Sequence, residues 1–460
     1  MKFLIAALAI ASAASATIQP PGVPFKSPVK VAAGFAANVL FSNLTAPSGI
    51  AFDAKQNLLV VELGLGVTAF SQNPISTSPV GGWERTVVVK NPSLSQGIQV
   101  DGNRLFVSTG KEVLVYQYDA STKSVSSTVA PYPIITGLPA DGEFASHPLL
   151  LEPGRSGIAG AILVGSGPLT NIDLTARDPA SGRSQIRRFV FNNVVDVFPP
   201  TPLPWDKGAV VAYGIRNPAG FAFPTGVSIT PVGTNDLYVV ENGASIDGVK
   251  GVTPKFANDN PADDLEFVNY PTNAVVSGTS VTGRYHGFPD CATLWNPTAD
   301  PVGVPQYAGL PRGSQISLNL DNTRSDAWCR NQTNTRLPSL NFQAHSSPTD
   351  IKFFTPPAVA NIKSFPSTLK DDAFVSFFGS FNRSPPTGYG VVHVPFPPAS
   401  SDVSKLGYSF LVQAASLDTC PGSCITPVGL AFGTDGRLYV SSTLSGELFV
   451  IERSQFTTDA

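Results

Sequence analysis

Pro427-Val428-Gly429-Leu430-Ala431-Phe432 leads through Asp435-Gly436 into Leu438-Tyr439-Val440, and the same pattern recurs along the chain. Close copies run from Pro47 to Val61 and from Pro218 to Val240, and weaker copies begin near Leu94, His147 and Pro348. A unit of short β-rich strands and Gly/Asp turns that recurs at tens of residues is typical of a propeller blade. The repeat therefore predicts an all-β fold, a six-bladed β-propeller.

The order of the copies also predicts how the ring is built. Val31 to Leu40 is expected to pair with the last strands of the chain and so close the ring. Between about 244 and 345 the sequence is rich in Asn, Asp, Pro and Thr, which predicts a long loop insertion. Long loops in a compact domain are either functional or disordered. We expect this loop to cover one face of the ring.

The N-terminus has the pattern of a secretory signal. Residues 1–16 combine a charged start, an apolar run from Phe3 to Ile10 and small residues at the expected cleavage site, so they are predicted to be a signal peptide. Residues 17–460 are predicted to form a single propeller domain that is secreted and extracellular. The sequons at Asn43 and Asn331 are candidate glycosylation sites.

Composition excludes some partners and suggests an oxidising compartment. Charged residues are sparse, at 14% with a net charge of −3, so nothing favours nucleic acid or an anionic membrane as a partner. No apolar run is long enough to span a bilayer. The cysteines lack the spacing of metal ligands, and export favours disulfides, predicted as Cys291–Cys329 and Cys420–Cys424.

The short motifs of two protein classes are absent from the sequence or occur in the wrong context. Gly64 to Ala69 matches the dinucleotide pattern G-x-G-x-x-A, but it leads into a strand and not into the helix that would hold a pyrophosphate. The sequence contains no P-loop, no G-x-S-x-G elbow and no H-E-x-x-H. Hydrolase and nucleotide-binding functions therefore have no motif to support them.

Polar residues at the starts of blades are the candidates for chemistry. His147 and His345 each precede a blade, where side chains point toward the central channel, and an imidazole there can take a proton from a substrate hydroxyl. A turn-capping or packed histidine is the alternative, and it is preferred for His393, which lies inside an outer strand. Arg216 and Asn217 offer a planar fork and an amide for carboxylate or quinone oxygens; bonding to blade-edge carbonyls is the alternative.

An acidic stretch follows one of these blades. Asn258 to Glu266 carries four carboxylates and comes shortly after Glu241-Asn242-Gly243. Hard oxygen ligands clustered in loops suit Ca²⁺. The spacing does not match an EF-hand, so a solvated loop remains the alternative.

These motifs resemble a known family. The chain resembles the secreted fungal branch of the pyrroloquinoline-quinone propeller dehydrogenases, which are the sorbosone and pyranose dehydrogenases related to soluble glucose dehydrogenase. The matching stretches, in order from about Val31 to Glu452, are Gly214 to Pro218, Glu241-Asn242, Asn258 to Glu266, Tyr285 to Cys291, Ala344 to Ser346, Gly388 to Val392 and Cys424 to Gly429.

The resemblance implies a site. In that family the quinone lies over the channel mouth beside a Ca²⁺ and accepts a hydride from a sugar hydroxyl, while a histidine removes the proton. The matching positions here imply His147 as the base, cofactor contacts by Arg216, Asn217, His345 and Tyr389, and calcium ligation by the backbone carbonyls of Gly243 and Ala244.

Four positions depart from the family pattern. Ser48 and Thr426 stand where arginines are expected, and Gln96 and Phe378 stand where histidines are expected. Each lost cation removes a charge-assisted hydrogen bond to a tricarboxylate cofactor, worth roughly 1.5–3 kcal/mol. Phe378 and Phe381 can still stack on a planar ring, but they cannot neutralise it.

Two functions follow from these residues. The first is a secreted, quinone- and calcium-dependent oxidoreductase that oxidises a sugar or a sugar-derived alcohol or aldehyde and passes electrons to an unidentified acceptor. The second is a cofactor-free propeller that binds carbohydrate or protein at the same mouth. A lactone hydrolase with an axial calcium is less favoured, because the acids here are concentrated in one insertion.

Overall fold

The structure is a computed structural model of the chain. It describes residues 17–19, 23–72, 82–153, 159–190, 201–225, 234–271, 281–359, 361–398 and 406–454. The predicted signal peptide lies outside the described residues. Within the part that is described, no helix is both long enough and apolar enough to cross a membrane.

Six sheets form the six blades of a β-propeller, as the repeat predicts. Each blade is numbered in chain order, and its strands are given from the inner strand outward. Blade 1 contains Pro47–Phe52, Leu58–Glu62, Gly66–Gln72, Trp83–Lys90 and Thr17–Gln19. Blade 2 contains Leu94–Asp101, Arg104–Thr109, Glu112–Asp119, Tyr132–Thr136 and Leu203–Pro204, with Ser124–Val125 paired at its side. Blade 3 contains Leu149–Pro153, Ala159–Ser166, Gln185–Val190, Ala209–Tyr213 and Val281–Tyr285.

The other three blades complete the ring. Blade 4 contains Pro218–Ala222, Thr234–Glu241, Asp263–Pro271 and Leu340–Phe342. Blade 5 contains Pro348–Phe353, Ala373–Phe377, Gly390–Val394, Ser409–Ala414 and Val29–Val31. Blade 6 contains Pro427–Phe432, Leu438–Ser442, Glu447–Arg453 and Phe35–Phe41. The outermost added strands of blade 2 and blade 3, Leu203–Pro204 and Val281–Tyr285, pair in parallel with their neighbours.

The ring closes through the two ends of the chain, as expected. Phe35–Phe41 pairs antiparallel with Glu447–Arg453, so an early strand is the outer strand of the last blade. Val29–Val31 pairs with Ser409–Ala414 in blade 5 in the same way. These pairings cover two sheet edges that would otherwise be open.

The core lies between the faces of neighbouring blades. Leu58, Leu59, Val60 and Val61 are successive residues of one strand, and each is 0% exposed. A strand that is covered on both faces has no solvent side, so its residues are apolar in succession and do not alternate with polar ones. This explains why the strands show little two-residue periodicity in the sequence.

The segment from 244 to 345 is more regular than the single loop that the sequence suggests. It supplies two strands of blade 4, Asp263–Pro271 and Leu340–Phe342, and the outermost strand of blade 3, Val281–Tyr285. The difference arises because these strands pair with partners distant in sequence, and the pattern of one strand does not reveal its partner.

The rest of that segment forms a cap, defined here as residues 243–262 and 286–339. Its regular elements are the helices Pro254–Ala257 and Asp326–Arg330, the 3₁₀ turn Pro305–Tyr307 and the paired strands Cys291–Thr293 and Gln315–Ser317. The cap has its own apolar core, which includes Phe256, Leu294 and Ile316.

Both predicted disulfides are present. Cys291–Cys329 lies in the cap, and Cys420–Cys424 lies in the connection that leads into the inner strand of blade 6. The sequon residues Asn43 and Asn331 are exposed. The remaining short helices are the 3₁₀ turns Leu174–Arg177, Pro179–Ser181, Trp205–Lys207 and Ser367–Leu369.

Candidate active site at the channel mouth

The starts of the inner strands gather on one face of the ring, which is called the mouth below. Contacts between blades at this end include Gln96 N donating to Ser146 O, Asn242 Nδ2 donating to Pro348 O, and Thr443 Oγ1 donating to Pro47 O. Asn217 directly precedes an inner strand, and His147, Arg216 and His345 each lie two or three residues before one. These four residues therefore lie at the same end of their blades.

Arg216 is a buried cation, and among the described residues no carboxylate accepts a hydrogen bond from its guanidinium group. Its Nε donates to Asn171 O over 2.9 Å, its Nη2 to Asn171 Oδ1 over 3.0 Å and its Nη1 to Asn242 O over 3.3 Å. The guanidinium carbon lies 4.8 Å from the centre of the Phe144 ring. Burial lowers the pKa of Arg216 to about 10, which leaves the side chain charged at neutral pH.

Asn217 continues the same network toward blade 5. Its Nδ2 donates to Asn242 Oδ1 over 2.7 Å, and Asn242 Nδ2 donates to Pro348 O over 2.6 Å. The amide of Asn242 thus joins the start of the blade 4 inner strand to the start of the blade 5 inner strand. Neither Asn171 nor Phe144 was identified as a site residue from the sequence, because each reaches Arg216 from a loop with no motif of its own.

Asp263 holds the loop that contains the predicted calcium ligands. Its carboxylate accepts from Gly243 N and from Ser347 N, both over 2.8 Å. Burial raises the pKa of Asp263 to about 6, although these two N–H groups and the nearby His345 oppose the shift. Ala244 packs in a small buried cluster with Ala176 and Phe288.

Three carboxylates lie together behind this loop. Glu241, Asp264 and Glu266 are buried, and one oxygen of each lies within 4.8 Å of the others. Glu241 pairs directly with Asp264 across two antiparallel strands, and Glu266 lies two residues farther along, on the same face. Such a group of oxygen donors can accept a divalent cation.

Only part of the charge in this carboxylate cluster is balanced. His286 Nδ1 lies 2.7 Å from Glu266 Oε2, and Asn341 Nδ2 donates to Asp264 Oδ1 over 2.7 Å. Burial and the negative charge of Glu266 raise the pKa values of Glu241 and Asp264 well above the usual carboxyl range. The sequence could have indicated part of this cluster, because Asp264 and Glu266 are two residues apart in a strand and so lie on the same face. It could not have indicated Glu241, because which residue faces Asp264 depends on the register of the two strands.

His147 is placed differently from the predicted base. It is 1% exposed, with Nδ1 lying 2.9 Å from Gly165 O and Nε2 lying 3.1 Å from Gly110 O. Both partners are carbonyls that only accept, and burial lowers the pKa of His147. Both ring nitrogens are therefore engaged with the backbone, which argues against a base at this position.

His345 is also buried, at 8% exposed, but only one of its ring nitrogens has a hydrogen-bond partner among the described residues. Its Nε2 lies 2.9 Å from Ala257 O in the cap. Tyr389 is 0% exposed and its hydroxyl donates to Ser380 O, so Tyr389 supports the mouth from beneath and presents no surface to a ligand. Phe378 is half-buried beside Ser347, whereas Phe381 is 78% exposed.

The substituted positions engage the protein's own backbone. Gln96 Nε2 donates across the ring to Ala219 O and Thr349 O, over 2.9 and 3.0 Å. Thr426 is fully buried, and its Oγ1 accepts from Leu444 N over 2.8 Å. Where the family pattern has cations, these neutral side chains hydrogen-bond to the backbone.

Comparison with known proteins identifies the family. The TrAA12-like family model matches residues 29–454. A pyrroloquinoline quinone-dependent sugar dehydrogenase of Hypocrea jecorina is 29% identical over 435 residues, covering 94% of this chain and 91% of that protein. A pyrroloquinoline quinone-dependent pyranose dehydrogenase of Coprinopsis cinerea is 30% identical over 473 residues, covering 95% of this chain but 57% of that protein.

A solved structure agrees with these matches. The calcium structure of the Trichoderma reesei carbohydrate-active enzyme of family AA12 has a TM-score of 0.77 at 29% identity, and the alignment covers 95% of this chain and 99% of that chain. The family model and the relatives extend across all six blades and the mouth. The chain belongs to the TrAA12-like family.

Proposed function

We propose that this protein is a secreted oxidoreductase that oxidises a sugar with pyrroloquinoline quinone as the electron acceptor. The names of its relatives supply the reaction class. The observation that carries the proposal here is Arg216, a buried guanidinium at the mouth that, among the described residues, hydrogen-bonds to amide oxygens and to no carboxylate. Such a cation suits an anionic ligand.

The residues at the mouth fit the quinone. Pyrroloquinoline quinone carries three carboxylates, and Arg216 and Asn217 supply a cation and an amide at the mouth. Ser346 Oγ is buried there without a hydrogen-bond partner in the described structure, which is a polar atom that a ligand can satisfy. When bound, the quinone supplies the acceptor for a hydride from the sugar carbon. His345 is expected to line the same pocket.

Calcium belongs to the same proposal. The backbone carbonyls of Gly243 and Ala244 are proposed to face the ion, in a loop that Asp263 holds in place through Gly243 N. The carboxyl groups of Glu241, Asp264 and Glu266 concentrate oxygen donors on this side of the mouth, and a divalent cation bound there would favour their ionised forms. A bound cation would also lessen the repulsion between the cluster and an anionic cofactor.

The charge of the mouth sets the expected affinity. Ser48, Gln96 and Thr426 are neutral, so Arg216 makes most of the charge-assisted contact. Each missing cation is worth roughly 1.5–3 kcal/mol, and about 1.4 kcal/mol is tenfold in affinity. We therefore expect this protein to bind the quinone more weakly than a relative that has cations at these positions.

One observation favours a second candidate, a propeller that binds carbohydrate without a cofactor. Both N–H groups of the Gln96 amide are donated to backbone carbonyls, so Gln96 has no donor left for a tricarboxylate, and Thr426 is a neutral side chain where a cation is expected. Phe381 is exposed beside the mouth, where an aromatic face can stack on a sugar ring. In this case a sugar would bind with no redox chemistry.

One experiment separates the two candidates. The purified protein is stripped with a chelator and titrated calorimetrically with the quinone, with and without Ca²⁺, and dye reduction is followed with a panel of aldoses. Arg216→Gln is the test variant, and Arg330→Gln, which removes a guanidinium from the outside of the cap, is the matched control. Quinone binding that needs Arg216, with sugar-dependent dye reduction, supports the oxidoreductase. Sugar binding without quinone binding refutes it and favours the second candidate.

Secretion and glycosylation are tested separately. The two disulfides suit an oxidising compartment outside the cell. Expression in a fungal host is expected to deliver the protein to the medium, with a mass that falls on deglycosylation. Asn43→Gln and Asn331→Gln should each remove one step of that change. Retention inside the cell, or a mass unaffected by deglycosylation, would contradict the respective prediction.

A further inference from the structure

The histidines of the chain differ in what their ring nitrogens contact. His147 places both nitrogens against backbone carbonyls. His286 is ion-paired with Glu266, and its side chain is 2% exposed. His393 contacts Asp372 through Nε2 and stacks on Phe374, within the third strand of blade 5 and away from the mouth. These contacts place the three rings in structural roles.

His345 has a fixed tautomer. Its Nε2 lies 2.9 Å from Ala257 O, and a carbonyl oxygen only accepts, so Nε2 carries the ring proton. Nδ1 of the neutral ring is then a lone-pair acceptor. Within the described ranges no group donates to Nδ1, and the residue as a whole is 8% exposed.

The backbone around His345 holds the ring in this position. His345 has a φ of 66°, which a side chain adopts only when its surroundings require it. Ser347 N, two residues later, donates to Asp263, which also accepts from Gly243 N. The ring is therefore tied to the cap through Ala257 and to the loop of the proposed calcium ligands through Asp263. The ring also neighbours Ser346, whose buried hydroxyl is proposed above to contact a ligand.

We propose that His345 is the proton acceptor for sugar oxidation, in place of the expected His147; this rests on the proposed function. The O–H bond of the reacting sugar hydroxyl breaks and its proton goes to Nδ1 of His345, forming an N–H bond. A bound pyrroloquinoline quinone would supply the two-electron acceptor for the hydride from the same carbon, so that the carbon–oxygen single bond would become a carbonyl.

The first test needs neither cofactor nor sugar. In protein labelled with ¹⁵N in histidine, two-bond correlations between ring nitrogens and ring protons report which nitrogen is protonated. Because the sequence contains four histidines, comparison with His345→Gln and His393→Gln assigns the signals. The expected result is a neutral His345 with its proton on Nε2. A proton on Nδ1 overturns the inference.

The second test is kinetic and uses the quinone-loaded protein with Ca²⁺. His345→Gln keeps an N–H that can donate to Ala257 O but lacks the basic nitrogen. It is expected to lower kcat by roughly 10²–10⁴-fold, the usual contribution of a general base. Quinone affinity and melting temperature should stay close to those of the wild type. His393→Gln, at a titratable site away from the mouth, should keep its activity.

Rescue of activity by added imidazole distinguishes a catalytic base from a histidine with a purely structural role. In His345→Ala the missing ring leaves space, so added imidazole is expected to restore part of the lost rate, whereas it should not affect His345→Gln. Loss of rate in His147→Gln with none in His345→Gln overturns the inference but leaves the proposed function intact. A wild-type protein that binds the quinone and oxidises no sugar refutes the proposed function and the inference together.

Discussion

Asp264→Asn tests whether the buried carboxylate cluster destabilises the protein when no cation is bound. The side-chain oxygen of the new amide still accepts from Asn341, whose Nδ2 lies 2.7 Å from Asp264 Oδ1. The substitution therefore removes a negative charge while keeping the shape and the main hydrogen bond. Asp247→Asn, an exposed position in the cap, is the matched control.

The size of the effect follows from the separation of the charges. Unit charges 4.8 Å apart, in an effective dielectric constant of about 20, repel by roughly 3 kcal/mol. The wild type already avoids part of this repulsion, because burial and the charge of Glu266 raise the pKa of Asp264 and so favour its protonated form. We therefore expect Asp264→Asn to increase the free energy of unfolding by about 1–3 kcal/mol at neutral pH in chelator.

The effect depends on pH in one direction. Because the pKa of Asp264 is higher in the folded than in the unfolded state, the folded protein binds this proton more tightly. Raising the pH above the ordinary carboxyl range removes that proton preferentially from the unfolded state, and the stability of the wild type falls. The amide does not titrate, so the advantage of Asp264→Asn should grow with pH until the folded-state carboxyl has ionised.

Thermal unfolding in chelator, at about pH 5 and about pH 8, measures this advantage. Asp264→Asn should melt higher than the wild type at the higher pH, with a smaller difference at the lower pH, and Asp247→Asn should match the wild type. A variant that melts lower than the wild type in chelator at both pH values would refute the reasoning. Added Ca²⁺ should stabilise the wild type more than the variant if the cluster contributes to cation binding.

Three further substitutions test other parts of the structure. Glu152→Gln leaves Arg188 buried without its carboxylate partner, which lies 2.7 Å away, and should cost about 3–5 kcal/mol of stability by chemical denaturation; a loss below about 1 kcal/mol would contradict a buried ion pair. Replacing Cys291 and Cys329 together by serine opens a loop of 38 residues and should cost about 4 kcal/mol, with faster proteolysis in the cap; unchanged proteolysis would contradict this. Arg216→Lys removes the planar fork and should weaken quinone binding about tenfold or more by calorimetry; unchanged affinity would remove Arg216 from the cofactor site.

Much of the fold was predictable because its signals are local. Each inner strand carries its own apolar run, turn and second strand within about twenty residues, as Pro427 to Val440 illustrates. Repetition of that unit around a ring leaves few alternatives to a propeller. The cysteines could be paired from their neighbourhoods and the predicted oxidising compartment. The cap was less predictable, because its strands join two different blades and their partners are distant in sequence.

The mouth was only partly predictable for a related reason. The blade repeat predicted that Arg216, Asn217, His147 and His345 stand near the starts of inner strands, and each lies within three residues of one. Which ring nitrogen of a histidine is free was beyond that reasoning, because it depends on contacts such as His345 with Ala257, 88 residues earlier. Gln96 reaches Thr349 O across 253 residues, and no local pattern indicates such a contact.

By itself the sequence determined the blade repeat, the closure of the ring and the disulfides. These depend on short apolar runs, on turn residues and on composition, which act between near neighbours. Only the tertiary structure decided that His147 is held by backbone carbonyls, that Tyr389 is covered, and that Glu241, Asp264 and Glu266 form one cluster. Hydrogen bonds, burial and charge repulsion depend on distances between side chains, and those distances exist only once the six blades have closed.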